Sequence, residues 1–399
     1  MKPIVIPKRE KRRRVVHVVY GFSVGGLENV IVQLINRLPA DQFEHVVLSL
    51  TTISDFKNRI TQPGVRFIEL HKQPGHAIPL YPRIYKLLRE LKPDVVHTCN
   101  LAALEITPLA WLARVPLRVH AEHGWDAHDP QGQNPRYQRL RKFYKPFVSH
   151  YVAVSKDLDD YLAQRIGVPA SHRSLIANGV DTDTFAPRVG PAVAVPGCPF
   201  VPGQHWLVGT VGRLQTVKNQ PLLARAFVRL LREHPEMAER ARLLIVGEGP
   251  LRAEVEAILE QGGASHLAWL PGGRSDIPDV LRMLDCFVLP SETEGTSCTL
   301  QEAMSCGLPC IATAVGGTPE LLALGRAGVL IKPGNADALA DALARSVTNP
   351  DEARQMGRAA RELALSSFGM AGMVRQYLEH FSFGRVQAIH SSHANPARP

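Results

Sequence analysis

The 399-residue sequence lacks the features of several large protein classes. Its six cysteines form no CxxC pair and have no histidine cluster at zinc spacing, which argues against a structural metal or a disulfide framework. No apolar run approaches the roughly 20 residues needed to span a bilayer. The first residues, MKPIVIPKREKRRR, contain no apolar core before a small-residue cleavage site. We therefore expect a cytoplasmic protein with reduced thiols.

Two phosphate-binding motifs are also missing. Neither GxGxxG nor GxxxxGK[ST] occurs anywhere in the chain. A nicotinamide-dependent oxidoreductase and a P-loop nucleotidase are therefore poorly supported.

Positive charge is concentrated in the first half of the chain. Residues 1–187 contain 26 Lys+Arg and 17 Asp+Glu, whereas residues 188–399 contain 20 of each. Such an excess attracts nucleic acid, anionic lipid or an acidic substrate, or else it is spread over solvated side chains. The basic run Lys8–Arg14 would suit a nucleic-acid-binding protein, but no helix-turn-helix or RNP-like pattern accompanies it. We expect no nucleic-acid partner.

Short runs of Val, Ile and Leu alternate with helical patterns along the chain. Predicted strands extend from Val15–Tyr20 to Tyr151–Val154 and, in a second series, from Trp206–Val211 to Gly328–Ile331. Because these runs are apolar on both faces, they predict parallel sheets covered by helices. Between the series, Pro187–Pro202 contains five prolines and two glycines and reads as a linker or exposed loop. The fold class is therefore α/β, with two doubly wound domains and a ligand-binding cleft between them.

The strongest local signal is the segment Pro290–Gly307, which follows a predicted buried strand and opens a helix near Ser297. A helix N-terminus can hold a phosphate, and Glu294 and Glu302 on either side could bind hydroxyl groups at opposite ends of an elongated ligand. The alternative is a structural capping box, Thr299-x-x-Glu302, with Glu294 as an ordinary loop acid. Spacing alone favours this alternative.

Two other strand-to-helix loops carry residues suited to ligands. Arg213 and Lys218 follow the strand at Trp206–Val211, where a guanidinium and an ammonium could bind phosphate oxygens. Gly25 and Gly26 lie in the first strand-to-helix turn and would let the backbone approach a ligand closely. Solvated cations and an ordinary tight turn explain these features equally well.

Two segments of the first half remain open to more than one interpretation. The run from Val119 to Asp126 contains His120 and His123, which could serve in acid–base chemistry or sugar binding, although lone histidines are more often structural. The stretch Gln133–Ser149 interleaves five basic residues with aromatic and apolar ones. It suits either adsorption to an anionic membrane or a solvated helix packed on its own domain.

Taken together, these segments resemble the retaining glycosyltransferases of the GT-B fold, family four, over roughly residues 15–385. The resemblance rests on motifs that occur in the order typical of the family, and within the family it is nearest to the exopolysaccharide type. They are Gly25-Gly26, His123-Gly124, Asn178-Gly-Val-Asp181, Gly212-Arg213 with Lys218, Gly247-Glu-Gly-Pro250, Glu294-x7-Glu302-Ala-Met, and Gly316-Gly-Thr-Pro-Glu320.

The resemblance implies a role for each site residue. Glu302 would bind the ribose of a nucleotide-sugar donor, Glu294 would bind the transferred sugar, and Arg213 and Lys218 would neutralise the diphosphate. The donor-binding residues further include Gly25, Gly26, Gly247, Ser297 and Cys298, and the catalytic set would be Glu294, His123, Arg213 and Lys218. Family members usually carry an aromatic residue or glycine where Thr296-Ser297 stand, so this chain departs from the pattern there.

The resemblance also implies a domain plan. It consists of a basic segment (1–14), an acceptor-side domain (15–186), a linker (187–202), a nucleotide-sugar-binding domain (203–365), a helix crossing back to the first domain (366–385) and a tail (386–399). The expected partners are a nucleotide-sugar, a glycan or lipid-linked acceptor and an anionic membrane surface on the inner face of the plasma membrane. No metal or other cofactor is expected. A nucleotide-sugar epimerase of the same fold is the alternative enzyme.

Overall fold

The computed structural model describes residues 12–126, 129 and 131–382. These residues form two parallel sheets of seven and six strands. The predicted tail 386–399 and most of the predicted basic segment 1–14 lie outside the described residues.

The first sheet has the strand order β3-β2-β1-β4-β5-β6-β7. Its strands are β1 (Arg13–Val19), β2 (Phe43–Ser49), β3 (Arg66–Glu69), β4 (Val95–Cys99), β5 (Leu117–Glu122), β6 (His150–Ala153) and β7 (Arg173–Leu175). The helices between them are α1 (Gly26–Arg37), α2 (Tyr81–Leu91), α3 (Asn100–Leu104), α4 (Thr107–Leu112), α5 (Pro135–Tyr144) and α6 (Lys156–Tyr161).

The second sheet repeats this plan with the order β10-β9-β8-β11-β12-β13. Its strands are β8 (Trp206–Val211), β9 (Ala241–Val246), β10 (Ala268–Gly272), β11 (Cys286–Leu289), β12 (Cys310–Thr313) and β13 (Val329–Ile331). The helices are α7 (Gln220–Glu233), α8 (Arg252–Gln261), α9 (Ile277–Met283), α10 (Cys298–Ser305), α11 (Thr318–Leu321), α12 (Ala336–Thr348), α13 (Pro350–Ser367) and α14 (Met370–Ser382).

Both sheets are wound outward from a central pair of strands, β1 and β4 in the first and β8 and β11 in the second. The chain reverses its direction of winding at these pairs, which leaves a crevice at the carboxyl ends of the strands. The central strands are almost wholly buried because helices cover both faces of each sheet. This explains their mainly apolar sequences and confirms the predicted doubly wound α/β class.

The predicted strands agree with the observed ones to within two residues at each end, and one strand of the first sheet was not predicted. β1 begins at Arg13, not Val15, and Arg14 pairs with Glu44 on β2 at 3.0 Å. The last two residues of the predicted basic segment are therefore part of the sheet. β7 was not predicted because its sequence, Arg-Ser-Leu, has no apolar run and β7 lies at an edge of the sheet.

The predicted linker 187–202 has no helix or strand, but it is not exposed throughout. Val195 and Phe200 are buried against the core of the second domain, beside Val211 and Leu244. The interpretation of this segment as an exposed loop is therefore wrong at these two positions. Their apolar side chains gain more from burial than the loop loses by being held in place.

The chain crosses between the domains near its described end. α13 packs on the second domain through Ala360 and Ala364, whereas Tyr377 and Phe381 of α14 are buried in the first. The crossing lies at Val180 and Gly369, which form an isolated parallel bridge. Among the described residues, no helix combines the length and apolar character required to cross a bilayer.

Candidate functional site

Lys218 and Glu294 meet at the carboxyl ends of β8 and β11. Lys218 Nζ lies 2.6 Å from Glu294 Oε1, and the Ser291 hydroxyl donates to the same oxygen at 2.6 Å. The Glu294 side chain is 7% exposed and the Lys218 side chain 25% exposed. The carboxylate is thus fixed in direction while its ammonium partner still reaches solvent.

The two loops that carry this pair are tied together by their backbones. Lys218 ends a short 3-10 turn, Thr216–Lys218, and the following Asn219 is in the left-handed region. The Glu292 amide donates to the Val217 carbonyl at 2.9 Å, and the Asn219 side chain donates to the Glu292 carboxylate. These contacts hold the ammonium and the carboxylate at a fixed separation.

Arg213 stands one turn earlier in the same loop and is exposed. Its carbonyl accepts a hydrogen bond from Gln220 Nε2 at 2.9 Å, and Gly247 packs behind the loop. A Cβ on Gly247 would lie only 2.0 Å from the Gly212 carbonyl, and its φ of 139° also favours glycine. Gly247 therefore supports the position of Arg213 from behind.

Helix α10 begins beside this group, but it is capped differently from the alternative considered above. Ser297 is the N-cap residue, and its hydroxyl accepts from the Leu300 amide at 3.4 Å. Cys298 is the first helical residue, so the predicted capping box with Thr299 at the cap and Glu302 at the third position does not form. The Cys298 thiol at this helix end is close enough to Lys218 and Glu294 for their charges to act on it.

Glu302 lies on α10 and is mostly buried. Burial raises the pKa of its carboxyl to about 8, and the distant Arg59 guanidinium opposes that rise only in part. No ion pair to Glu302 occurs among the described residues. Because the residues from Glu294 to Ser297 are not helical, the two acids are not separated by the continuous helix on which a spacing of about 12 Å would depend.

The loop between Glu294 and α10 is seated in the first domain. A Cβ at Gly295 would lie 2.4 Å from the His123 carbonyl, so only glycine fits there without displacement. The Thr296 hydroxyl donates to the Val154 carbonyl, and Asn178 Nδ2 donates to the Thr296 carbonyl at 3.2 Å. The domains are therefore in contact at this loop.

The glycine pair of the first domain faces the start of α10. Gly25 is the N-cap of α1 and has extended backbone angles, and Gly26 is the first residue of that helix. A Cβ on Gly26 would lie 3.6 Å from Cys298 Sγ. This brings α1 and α10 to opposite walls of one crevice.

The two histidines of the fourth sequence motif differ in their surroundings. His120 is held by the Thr98 hydroxyl at 2.9 Å and lies 3.3 Å from the Glu122 carboxylate, as expected of a structural residue. His123 follows β5, and the Asn100 side chain accepts its backbone amide at 2.7 Å. Both ring nitrogens of His123 are buried without a hydrogen-bond partner among the described residues. Burial lowers the pKa of His123 to about 4.

The basic stretch Gln133–Ser149 contains helix α5 and has two different faces. Arg141 is buried and makes two hydrogen bonds to Glu122, at 2.6 and 3.1 Å. Arg139, Lys142 and Phe143 are exposed. Of the five basic residues, Arg141 is therefore structural. Arg139 and Lys142 are exposed to solvent.

Two family models match the chain, one in each domain. The model described as Glycosyltransferase Family 4 matches residues 24–184, and the model described as Glycosyl transferases group 1 matches residues 200–363. The chain belongs to the family-four glycosyltransferases of the GT-B fold. It is an enzyme that transfers sugars.

Relatives of the glycosyltransferase match it over long stretches. An Escherichia coli protein named UDP-Gal:α-D-GlcNAc-diphosphoundecaprenol α-1,3-galactosyltransferase is 27% identical over 372 residues, which are 90% of this chain and 94% of the relative. A D-inositol 3-phosphate glycosyltransferase from Saccharomonospora viridis is 31% identical over 68% of this chain and 66% of its own length. The solved structure of HepE from Anabaena, in complex with UDP and glucose, is 21% identical with a TM-score of 0.78, covering 93% of this chain and all of that one. The last likeness supports the GT-B fold.

Sequence reasoning passed over two residues of the candidate site. Ser291 orients Glu294, and Asn178 binds both the Thr296 carbonyl and, at 3.6 Å, Cys298 Sγ. Both lie inside quoted motifs. The sequence motifs do not show that these two side chains contact the loop before α10. For Asn178, the contact joins positions about 120 residues apart in the sequence.

Proposed function

We propose that the enzyme transfers a sugar, with retention of anomeric configuration, from a nucleotide-diphosphate-sugar to a glycan or lipid-linked acceptor. The process served would be exopolysaccharide or cell-surface polysaccharide synthesis. The observation that carries this proposal is the oriented pair of Lys218 and Glu294 beside the first turn of α10. A cation, a carboxylate and a helix end together match a sugar joined to a diphosphate.

The diphosphate would bind between the loop after β8 and the start of α10. Lys218 has three N–H donors and gives one to Glu294, so it can also donate to a phosphate oxygen. Arg213 is exposed nearby and can fork onto two oxygens. The backbone amides at Ser297 and Cys298 add the positive end of the helix dipole.

The two acids would bind the groups on either side of the diphosphate. Glu294 would accept hydroxyl hydrogen bonds of the transferred sugar, and Glu302 would bind the ribose. With a pKa of about 8, Glu302 is mainly protonated at neutral pH without a donor. A protonated carboxyl can both donate to and accept from a pair of ribose hydroxyls.

The chemistry follows from where charge develops. As the glycosidic bond breaks, positive charge grows on the sugar and negative charge on the departing phosphate. Lys218 and Arg213 stabilise the phosphate, so no divalent ion is required for that role. The departing phosphate can accept the proton of the acceptor hydroxyl on the same face of the sugar, which gives retention.

His123, on the first domain, would face the sugar with Gly25 and Gly26. A double displacement through Glu294 is the competing mechanism.

The relatives support the classes of donor and acceptor. The name of the Escherichia coli relative contains UDP-Gal as donor and a sugar carried on diphosphoundecaprenol as acceptor. HepE has been solved with UDP and glucose and also with UDP-glucose. We infer a nucleotide-sugar donor of this general kind and an acceptor carried on a lipid or a growing glycan.

A membrane-bound acceptor would bring the enzyme to an anionic lipid surface on the cytoplasmic side. On the first domain, Trp111, Leu112 and Phe143 are 54%, 55% and 65% exposed, respectively. The exposed cations Arg139 and Lys142 flank Phe143 on α5. Apolar side chains among cations favour the interface of an anionic bilayer.

Thermal unfolding with a panel of UDP-, GDP- and ADP-sugars tests the donor assignment. One nucleotide series should raise the midpoint in a concentration-dependent way, because a ligand that binds only the folded state stabilises it. Glu302→Ala should lose most of this shift, while Glu260→Ala, an exposed acid on α8, should keep it. Full donor affinity in the Glu302→Ala protein would refute the ribose assignment.

Product analysis separates transfer from the alternative reaction. A transferase forms the glycosylated product, with release of nucleotide, when acceptor is present. A nucleotide-sugar epimerase releases nucleotide or isomerised sugar without any acceptor. Isomerised sugar in the absence of acceptor would overturn the transferase proposal, and an inverted anomeric centre in the product would overturn retention.

Flotation with liposomes tests the membrane surface. The protein should float with vesicles that contain anionic lipid and less with neutral ones. Phe143→Ser should reduce flotation, whereas Leu324→Ser, which changes an exposed apolar residue on the second domain, should leave it unchanged. Equal flotation with both vesicle types would refute the membrane proposal.

A further inference from the structure

Three side chains that could bind a metal meet at the carboxyl ends of β4 and β5. They are His97, Cys99 and His123, and each offers a ligand atom within 4.8 Å of the others. His97 and Cys99 are two residues apart on one strand, so their side chains point to the same face of the sheet. His123 arrives from the loop after the neighbouring strand.

The side chains of this group are close enough for one ion to bridge them. Cys99 Sγ lies 3.8 Å from His97 Nε2. A tetrahedral zinc, with Zn–S of about 2.3 Å and Zn–N of about 2.1 Å, holds sulfur and nitrogen about 3.6 Å apart. Sγ also lies 4.0 Å from His97 Nδ1, whereas an ion on Nε2 would hold it about 5 Å or more from Nδ1, so the Cys99 side chain must rotate when the ion binds.

The other nitrogen of His97 is engaged in the way that metal-binding histidines require. His97 Nδ1 lies 3.0 Å from His17 Nδ1, and His17 Nε2 lies 3.1 Å from His45 Nδ1. Either direction of proton donation satisfies this chain. A metal at His97 Nε2 would favour the arrangement in which His97 Nδ1 donates its proton to His17 Nδ1. This hydrogen bond, on the side of the ring away from the metal, would fix the orientation of the His97 ring.

His123 supplies an independent reason to expect a ligand. Both of its ring nitrogens are buried and lack a hydrogen-bond partner among the described residues. Leaving buried polar atoms unpaired is costly, and a metal at one nitrogen would remove part of that cost.

We propose that His97, Cys99 and His123 form a binding site for a borderline-soft divalent ion, with Zn²⁺ as the best match. Imidazole and thiolate ligands select such ions over Mg²⁺ or Ca²⁺. Binding replaces the Cys99 S–H bond with an S–metal bond and releases one proton. Three protein ligands leave the fourth position open to water.

The site would inhibit transfer. This consequence rests on the proposed function, in which His123 faces the sugar of the donor. An ion that holds the His123 ring would keep it from the substrate, so zinc should inhibit while the diphosphate cations remain in place. The site is therefore a place for inhibition by metal and not a source of Lewis-acid chemistry.

Cobalt absorption tests binding without measuring activity. Metal-free enzyme titrated with Co²⁺ should give a thiolate-to-cobalt band in the near ultraviolet that saturates at one equivalent and is abolished by one equivalent of Zn²⁺. Cys99→Ala and Cys99→Ser should lack the band. Cys310→Ala is a matched control, because Cys310 and Cys99 are each 1% exposed and Cys310 lies in the other domain.

Zinc inhibition tests the consequence. Wild type and Cys310→Ala should be inhibited by micromolar zinc, whereas Cys99→Ala should need at least tenfold more and keep its basal rate. The absence of a cobalt band in folded wild type would overturn the site. A cobalt band with no difference in zinc inhibition between wild type and Cys99→Ala would overturn the inhibition alone. Failure of the transferase assignment would leave the cobalt result unaffected.

Discussion

Each domain buries a glutamate at the carboxyl end of its sheet and pairs it with a cation, but the two pairs differ in access. In the first domain, Arg141 and Glu122 are 5% and 1% exposed and share two hydrogen bonds. In the second, Lys218 is 25% exposed and contacts Glu294 through one oxygen. The Arg141–Glu122 pair is therefore inaccessible to ligands, whereas Lys218 keeps N–H donors that do not bind Glu294. The two pairs have similar chemistry, a glutamate with a cation. They differ in how far the cation is exposed to solvent.

The pKa of the first acid reflects this closure. Burial by itself would raise the pKa of Glu122, but the Arg141 guanidinium and the His120 ring together outweigh burial and hold the pKa well below its usual range. Glu302, in the second domain, is buried without such a partner, and its pKa rises to about 8. Neighbouring charge therefore decides the protonation of these two acids.

Replacing Arg213 and Lys218, the solvent-accessible cations of the candidate site, should have the largest effect on activity. Arg213→Ala/Lys218→Ala should lower kcat/KM about 1,000-fold, or about 4 kcal/mol, because the departing diphosphate loses its positive partners. Steady-state kinetics with saturating acceptor would measure this. Stability should change little, since Lys218 is partly exposed.

The matched control for that variant is Arg225→Ala, which removes a cation that pairs with Glu254 on the surface of the same domain. It should retain normal kinetics. Normal turnover in the double variant would break the comparison, because the open pair would then be structural like the closed one.

Removing the closed cation should affect stability and not chemistry. Arg141→Met leaves Glu122 buried and unpaired, and should lower the free energy of unfolding by about 3–5 kcal/mol. Because the folded-state pKa of Glu122 is depressed, the stability that the pair provides is full above the ordinary pKa of glutamate and is lost as pH falls below it. Chemical denaturation at pH 7 and at lower pH would measure both effects.

Arg139→Met, on the exposed face of the same helix, should change stability by less than about 0.5 kcal/mol. If the two variants unfolded alike, Arg141 would be one more solvated cation of α5, and the contrast between the pairs would disappear.

The smallest effect concerns the acid without a partner. The folded-state pKa of Glu302, about 8, lies above its unfolded value, so stability falls as pH rises from about 4.5 to 8. Glu302→Gln should remove this dependence and stabilise the protein relative to wild type at pH 8.5, with little change at pH 5. Thermal unfolding across this pH range, with Glu260→Gln as the exposed control, would measure it. A constant difference between wild type and Glu302→Gln at all pH values would show that the carboxyl does not titrate in this range.

Much of the fold was predictable from the sequence, since twelve of the thirteen strands among the described residues follow from apolar runs bounded by turns. β7 was missed because three residues of mixed polarity carry no periodic signal. For the site, the motifs predicted which loops reach the crevice. They did not predict that Lys218 pairs with Glu294, or that Ser297 caps α10 in place of Thr299.

The sequence by itself determined that two doubly wound domains form, because runs that are mainly apolar on both faces suit strands covered by helices on each side. Only the tertiary structure decided which side chains meet. Lys218 and Glu294 are 76 residues apart and touch because β8 and β11 are neighbours in the sheet. Arg141 contacts Glu122, and His123 lies beside His97 and Cys99, for the same reason. Contacts between distant segments depend on the order of strands and the direction of loops. Local sequence periodicity predicts neither of these.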